Sequence, residues 1–162
     1  PYKGFDLTKK GEKIALNLIR KHRLWEVFLV KYLDFPWDKV HDEAEKLEHV
    51  STDELIAKLE GYMDFPKHDP HGYPIPDENG KMEMDDSVPL TEAVIGSVKI
   101  IKRVSDESSE LLNYLSKIGL KLDDEIKILE RIDFDNSIQI SKNSGRIFLS
   151  EKLAGNIYVA NK

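Results

Sequence analysis

The chain has 162 residues, no cysteine, 40% hydrophobic and 33% charged residues, and a formal net charge of −6. That length allows one large or two small domains with a real core, and the lack of cysteine excludes disulfides, thiolate metal sites and thiol catalysis. No window approaches the roughly 18 apolar residues of a membrane span, no secretory leader is visible, and the acidic balance makes the chain by itself a poor nucleic-acid binder; the expectation is a cytoplasmic protein without membrane contact.

Residues 1–7 alternate weakly and read as a short strand or arm. Thr8 can cap a helix running to about Leu33, with Ile14, Leu18, Trp25 and Leu29 as its apolar stripe and His22 in the middle of it. Pro36 breaks that helix. A second helix is predicted from about Asp38 to His49. Ser51 and Glu54 can form a capping box, flanked by a Val50/Leu55 staple, for a third helix to about Tyr62; Thr52 is an equally good cap. Pro66, Pro70, Pro74 and Pro76, with Gly72 and Gly80, mark a turn-rich loop. The acidic stretch 77–88 is the linker. Beyond it, Val98–Val104 reads as a strand and Ser105–Lys117 as a helix stopped at Gly119. Strands are predicted over 125–132, 137–141, 146–150 and 156–160, with a hairpin turn at Asn143-Ser144-Gly145. Short strands at this spacing predict a small β-barrel, so the fold class is α+β.

The chemistry is concentrated in the first two helices. His22 and Glu26 are four residues apart, hence on one helical face. His41, Glu45, Glu48 and His49 fall within about 100° of arc at 3.6 residues per turn. One such pair alone is most often a solvated face. Two sets on neighbouring helices, one set in an apolar stripe, point instead to a shared cation, because clustered buried ionisable groups are costly without one. Imidazole and carboxylate without thiolate suit a borderline-to-hard divalent ion. His68 and His71, in H-D-P-H-G, read as structural loop residues, with zinc binding as the alternative. No HExxH, no Gly-rich phosphate loop, no G-x-S-x-G and no nucleophile with a partnered base is present, so no enzyme activity is expected.

Three segments carry a resemblance: K-H-R-L-W-E (21–26), V-H-D-E-A-E-K-L-E-H-V (40–50) and D-P-H-G-Y-P-I-P (69–76). In order and spacing they are similar to the metal-binding and dimerisation domain of the diphtheria toxin repressor family, metal-dependent regulators that sense iron or manganese. The segment 111–129, L-L-N-Y-L-S-K-I-G-L-K-L-D-D-E-I-K-I-L, resembles that family's SH3-like domain, of the kind also found in FeoA. The resemblance implies a helical metal-binding and dimerisation domain over 8–76, a linker over 77–88 and an SH3-like FeoA-type barrel over 89–162. Residues 1–7 resemble the end of the wing of a winged helix-turn-helix domain, and Pro1 in place of an initiating Met fits a chain whose DNA reader lies outside it.

The resemblance also implies roles. His22, Glu26 and His41 match the ligands of the family's ancillary site. Glu45, Glu48 and His49 match those of the primary, activating site, whose remaining ligands come from the DNA-binding domain. The SH3-like domain can add ligands to the ancillary site; the aligned positions lie near Ser108 and Leu111, which leaves Glu107 and Glu110 as the candidates. Iron sensors typically carry Cys at the Glu45 position and manganese sensors Glu. The expected cofactor is therefore Mn(II), with Fe(II) next and Zn, Co or Ni as substitutes in vitro. The expected partners are a second copy, through the apolar Leu55, Ile56, Leu59 and Tyr62 of the third helix, and promoter DNA in the full-length protein but not through this segment. The alternative is a ferrous-iron transport accessory or adaptor that uses the FeoA-like barrel.

Overall fold

Thr8 starts the first helix, as its side chain accepts a hydrogen bond from the Gly11 N–H at 3.1 Å. The computed structural model describes residues 7–162, so nearly all of the wing expectation for 1–7 lies outside the described residues. Helix α1 spans Lys9–Leu33 and leaves through Asp34, which takes the left-handed conformation at φ 53° ahead of Pro36. Helix α2 spans Val40–Val50 and α3 spans Asp53–Tyr62. The cap of α3 is Thr52, whose side chain accepts from the Leu55 N–H at 3.2 Å. The Ser51 capping box does not form. Ser51 is buried, and its hydroxyl accepts from the Trp25 indole at 2.8 Å and donates to the Leu47 carbonyl at 2.6 Å. Val50 and Leu55, the expected staple, are both exposed.

The helical core holds Leu24, Val27, Ile56, Leu59, Met63 and Ile75, with Trp25 and Phe28 packed against it. On α1 the fully buried positions begin at Arg20, so the expected stripe is shifted: Ile14 is exposed and Leu18 only half-buried. The reason is that α2 and α3 cover the later turns of α1, and burial on a helix is set by its partners rather than by its own pattern. His22 therefore flanks the buried stripe instead of sitting within it. Two of the α3 residues expected at a dimer surface, Ile56 and Leu59, are core; Leu55 and Tyr62 are exposed. Arg20 pairs with Glu60 at 2.5 Å and ties α1 to α3.

Between α3 and the end of this unit the chain is a loop fastened by its own backbone. The Ile75 N–H donates to the Lys67 carbonyl at 2.8 Å, and the Asp69 N–H to the Tyr73 carbonyl at 3.0 Å. The unit ends at Met84, and a second compact unit begins at Asp85.

The second unit is a six-stranded antiparallel sheet in the order β1-β6-β2-β3-β4-β5, with the strands at Val88–Pro89, Val98–Val104, Glu125–Arg131, Ile138–Lys142, Gly145–Leu149 and Ile157–Asn161 for β1 to β6. Irregular register at Ile101/Arg103 and at Ile128/Glu130 bends it. Among the described residues its end strands β1 and β5 pair with β6 and β4 but not with each other, so the SH3-like domain is an open, curved sheet. Asn143 and Ser144 both have positive φ, 48° and 67°, which is the primed turn that a two-residue hairpin between β4 and β5 requires. Helix α4 spans Ser109–Lys117, later than the expected start at Ser105, because Ser108 is extended and caps the helix, its side chain accepting from the Leu111 N–H at 3.3 Å. A four-residue helix α5, Glu151–Ala154, sits between β5 and β6. Among the described residues no helix is long and apolar enough to cross a membrane.

Candidate metal centre

Helical spacing on α1 and the start of α2 bring three expected ligands together. One ligand atom each of His22, Glu26 and His41 lies within 4.8 Å of the others. His22 Nε2 is 3.2 Å from Glu26 Oε1 and 3.1 Å from His41 Nδ1, while His41 Nδ1 is 3.7 Å from the same Glu26 oxygen. The other ring nitrogen of His22, Nδ1, meets Glu48 Oε2 at 2.6 Å. His22 thus touches both sets of expected ligands, one through each nitrogen. Glu48 Oε1 lies 3.4 Å from His49 Nε2. Glu26 and Glu48 are buried, whereas His41 and His49 are more than half exposed, so the cluster is open towards α2.

Glu45 is exposed on α2. Glu107 precedes α4 and Glu110 lies in its first turn, both exposed, and Glu110 accepts from the capping Ser108 hydroxyl at 2.8 Å.

A residue read as structural in the sequence lies at the centre instead. His71 is completely buried, its Nε2 donates to the Trp37 carbonyl at 2.9 Å, and its Nδ1 faces Glu26 Oε2 at 3.7 Å. Asp69 is buried beside it. Among the described residues five buried side-chain nitrogen and oxygen atoms lack a hydrogen-bond partner, and four of them are Glu26 Oε1 and Oε2, Asp69 Oδ2 and His71 Nδ1. Buried polar atoms are nearly always partnered. Glu26 Oε2 and His71 Nδ1, 3.7 Å apart, are a carboxylate and an imidazole of the kind that suits a divalent cation. The one sequence signal for this was D-P-H-G itself: an acid and an imidazole two residues apart, held by a Pro-Gly turn.

The charges agree with that reading. Burial opposes ionisation of Glu26, but His22 and His71 overcome it and bring its pKa to about 2. Burial works against the His71 cation, yet Glu26, Asp69 and the Trp37 carbonyl raise its pKa to about 9. Burial, then the Glu26 charge, pushes Asp69 up to about 6. Burial likewise opposes the His22 cation, and Glu26 and Glu48 outweigh it, so its pKa is raised. An imidazole raised from 6.5 to about 9 contributes stability that is complete below pH 6.5 and is lost as pH rises through 9. The chain stripped with a chelator is therefore expected to melt at lower temperature at pH 9 than at pH 6.5. Added divalent metal should reverse the trend, since only deprotonated imidazole binds it. Circular dichroism melts across that range, with and without metal, check both signs.

Residues 8–77 match the model of the iron dependent repressor metal binding and dimerisation domain, and residues 88–161 match the FeoA domain. A manganese-dependent transcriptional repressor solved in complex with manganese superposes with a TM-score of 0.92 at 38% identity, over 96% of this chain and 75% of that one. The diphtheria toxin repressor of Corynebacterium diphtheriae is 29% identical over 171 residues, covering 97% of this chain and 73% of the repressor. A probable metal transport system membrane protein of Chlamydia trachomatis is 46% identical over 79 residues, which is 49% of this chain but 18% of that protein. Fold and site together define a metal-binding and dimerisation module followed by a FeoA domain. The chain belongs to the diphtheria toxin repressor family of metal-dependent transcriptional repressors.

Proposed function

We propose that this chain is the metal-sensing and dimerising part of a repressor that responds to Mn(II) and controls metal homeostasis. The observation that carries the proposal is the His22–Glu26–His41 cluster and its 2.6 Å contact, through His22, to Glu48. His22, Glu26 and His41 hold one divalent ion. On the opposite side of the same carboxylate, Glu26 Oε2 faces the buried His71 Nδ1 at 3.7 Å. A divalent cation supplies the positive charge these buried carboxylates need. Glu45, Glu48 and His49 on α2 are held ready for an activating ion completed by ligands outside this chain. Metal then favours a DNA-competent dimer because it binds that state more tightly.

Manganese is favoured by Glu45, which puts oxygen where a thiolate would select softer ions. Zn(II) still binds more tightly than Mn(II) by the Irving–Williams order, and Co(II) or Ni(II) substitute in vitro, so selectivity lies in activation and not in affinity. The test is promoter binding by the full-length protein, titrated anaerobically with each metal. Mn(II) should activate at least as well as Fe(II), and Glu45→Cys should move the preference towards Fe(II). A parent protein that answers Fe(II) and ignores Mn(II) refutes the manganese assignment.

The transport-accessory reading has one relative in its favour, the Chlamydia trachomatis membrane protein. It gives no reason for ligands on two helices beside a dimerisation surface. That surface is aromatic: Phe28 stacks on Tyr32 at 5.7 Å, and Tyr32 meets Tyr62 at 5.3 Å. Tyr62 is 69% exposed, and Leu33 and Phe65 are also exposed. Light scattering should give twice the chain mass, and Tyr62→Asp should give a monomer. A wild-type monomer at tens of micromolar would contradict the homodimer.

A further inference from the structure

Three neighbouring residues of α1, Lys21, His22 and Trp25, reach the end of α2. Lys21 Nζ donates to the Ser51 carbonyl at 2.8 Å, His22 Nδ1 meets Glu48 Oε2 at 2.6 Å, and the Trp25 indole N–H donates to the Ser51 hydroxyl at 2.8 Å. That hydroxyl donates in turn to the Leu47 carbonyl at 2.6 Å. Ser51 is buried, and it directly follows the last residue of α2. Ending the helix does not require its hydroxyl. The Ser51 N–H already bonds the Leu47 carbonyl at 3.1 Å, and the chain leaves in an extended conformation at ψ 128°. What the hydroxyl adds is a bridge from the Trp25 side chain to the α2 turn that carries Glu48.

The placing of that turn bears on the His22–Glu26–His41 cluster. His22 Nε2 faces Glu26 and His41, at 3.2 and 3.1 Å. A cation on Nε2 requires the ring hydrogen to sit on Nδ1, from which it is donated to Glu48. The orientation of the imidazole therefore depends on where α2 puts Glu48. We infer that Ser51 is a positioning residue for the metal cluster. Its hydroxyl, held by Trp25, fixes the last turn of α2 so that Glu48 stays on His22 Nδ1, and this raises metal affinity although neither Ser51 nor Trp25 touches the ion. The inference rests on the proposed His22–Glu26–His41 site.

The experiment is a calorimetric titration of the purified chain with Co(II) alone, with visible absorption of the bound ion as a second readout. The variants are Ser51→Ala, Trp25→Phe, Glu48→Ala, Ser51→Ala with Glu48→Ala, and His22→Ala with His41→Ala. The double histidine variant identifies the event that belongs to the cluster. Ser51→Ala should weaken that event by about fivefold and shift its absorption band, a smaller loss than the roughly 10- to 100-fold seen when a ligand's direct supporting contact is removed. Trp25→Phe removes the N–H and keeps a ring, and it should weaken the same event. It leaves Ser51 and the helix end intact, so it carries the test if Ser51→Ala lowers the melting temperature. In the Glu48→Ala background, Ser51→Ala should add less than about a twofold loss, because both act through one contact. Parental affinity and spectrum in a folded Ser51→Ala or in Trp25→Phe would overturn the inference while the site stands. The same loss from Ser51→Ala with and without Glu48 would overturn it too, because that is a general structural role. If the double histidine variant removes no event, the site fails and the inference falls with it.

Discussion

Glu26→Gln is expected to cost both metal binding and the stability of the metal-free chain. Its two oxygens serve different neighbours: Oε1 faces His22 and His41, and Oε2 faces His71. An amide removes the charge from both and presents an N–H donor to one set of imidazoles. Affinity for divalent metal should fall by more than about 100-fold, beyond what loss of a supporting contact gives. Without metal, the variant leaves buried His71 without its counter-charge. Breaking a buried pair from one side costs roughly 3 kcal/mol, which lowers the melting temperature by roughly 12–24 °C in a unit of this size. Calorimetry and melts on chelator-treated protein measure the two effects separately. A variant that melts like the parent would show that Glu26 and His71 are not an ion pair.

His22→Ala combined with His41→Ala should abolish the tighter of the metal-binding events in this chain. The two imidazoles supply the nitrogens nearest Glu26 Oε1, and the pair leaves Glu48, Asp69 and His71 in place. Glu48→Ala should act more weakly. It removes the 2.6 Å partner of His22 Nδ1, a contact that orients the ring, and not a group of the cluster itself. Calorimetric titration of the three proteins side by side decides the matter. If Glu48→Ala abolishes the tighter event and the double histidine variant spares it, the site has been assigned to the wrong ligands.

The helical half of this site was legible because its ligands follow a local rule. His22 and Glu26 share a face by spacing alone, and α2 carries its set on one arc. The packing of α2 against α1 was not legible, and with it the fact that His22 reaches Glu48. Burial was misjudged for the same reason: Ile14 fits the helical period, but no partner helix covers it. His71 was missed because it reaches Glu26 through a turn whose path depends on contacts dozens of residues apart, with Arg23 and with the Trp37 carbonyl. No periodicity encodes such a contact. In the sheet unit the hairpin was readable from Asn143-Ser144-Gly145. Helix α5 has only four residues, too few for a periodic signal, and the late start of α4 is set by Ser108, one of several serines that could cap it.

The central claim is that Glu26 is the hub of the divalent-metal site. Diffraction from crystals of the chain grown with Mn(II), with data collected at the manganese absorption edge, tests it most directly. An anomalous peak is expected within coordination distance, about 2.2 Å for hard-cation–oxygen contacts, of a Glu26 carboxylate oxygen, with an imidazole of His22, His41 or His71 also bound. Manganese found only at sites that do not include Glu26 would contradict it.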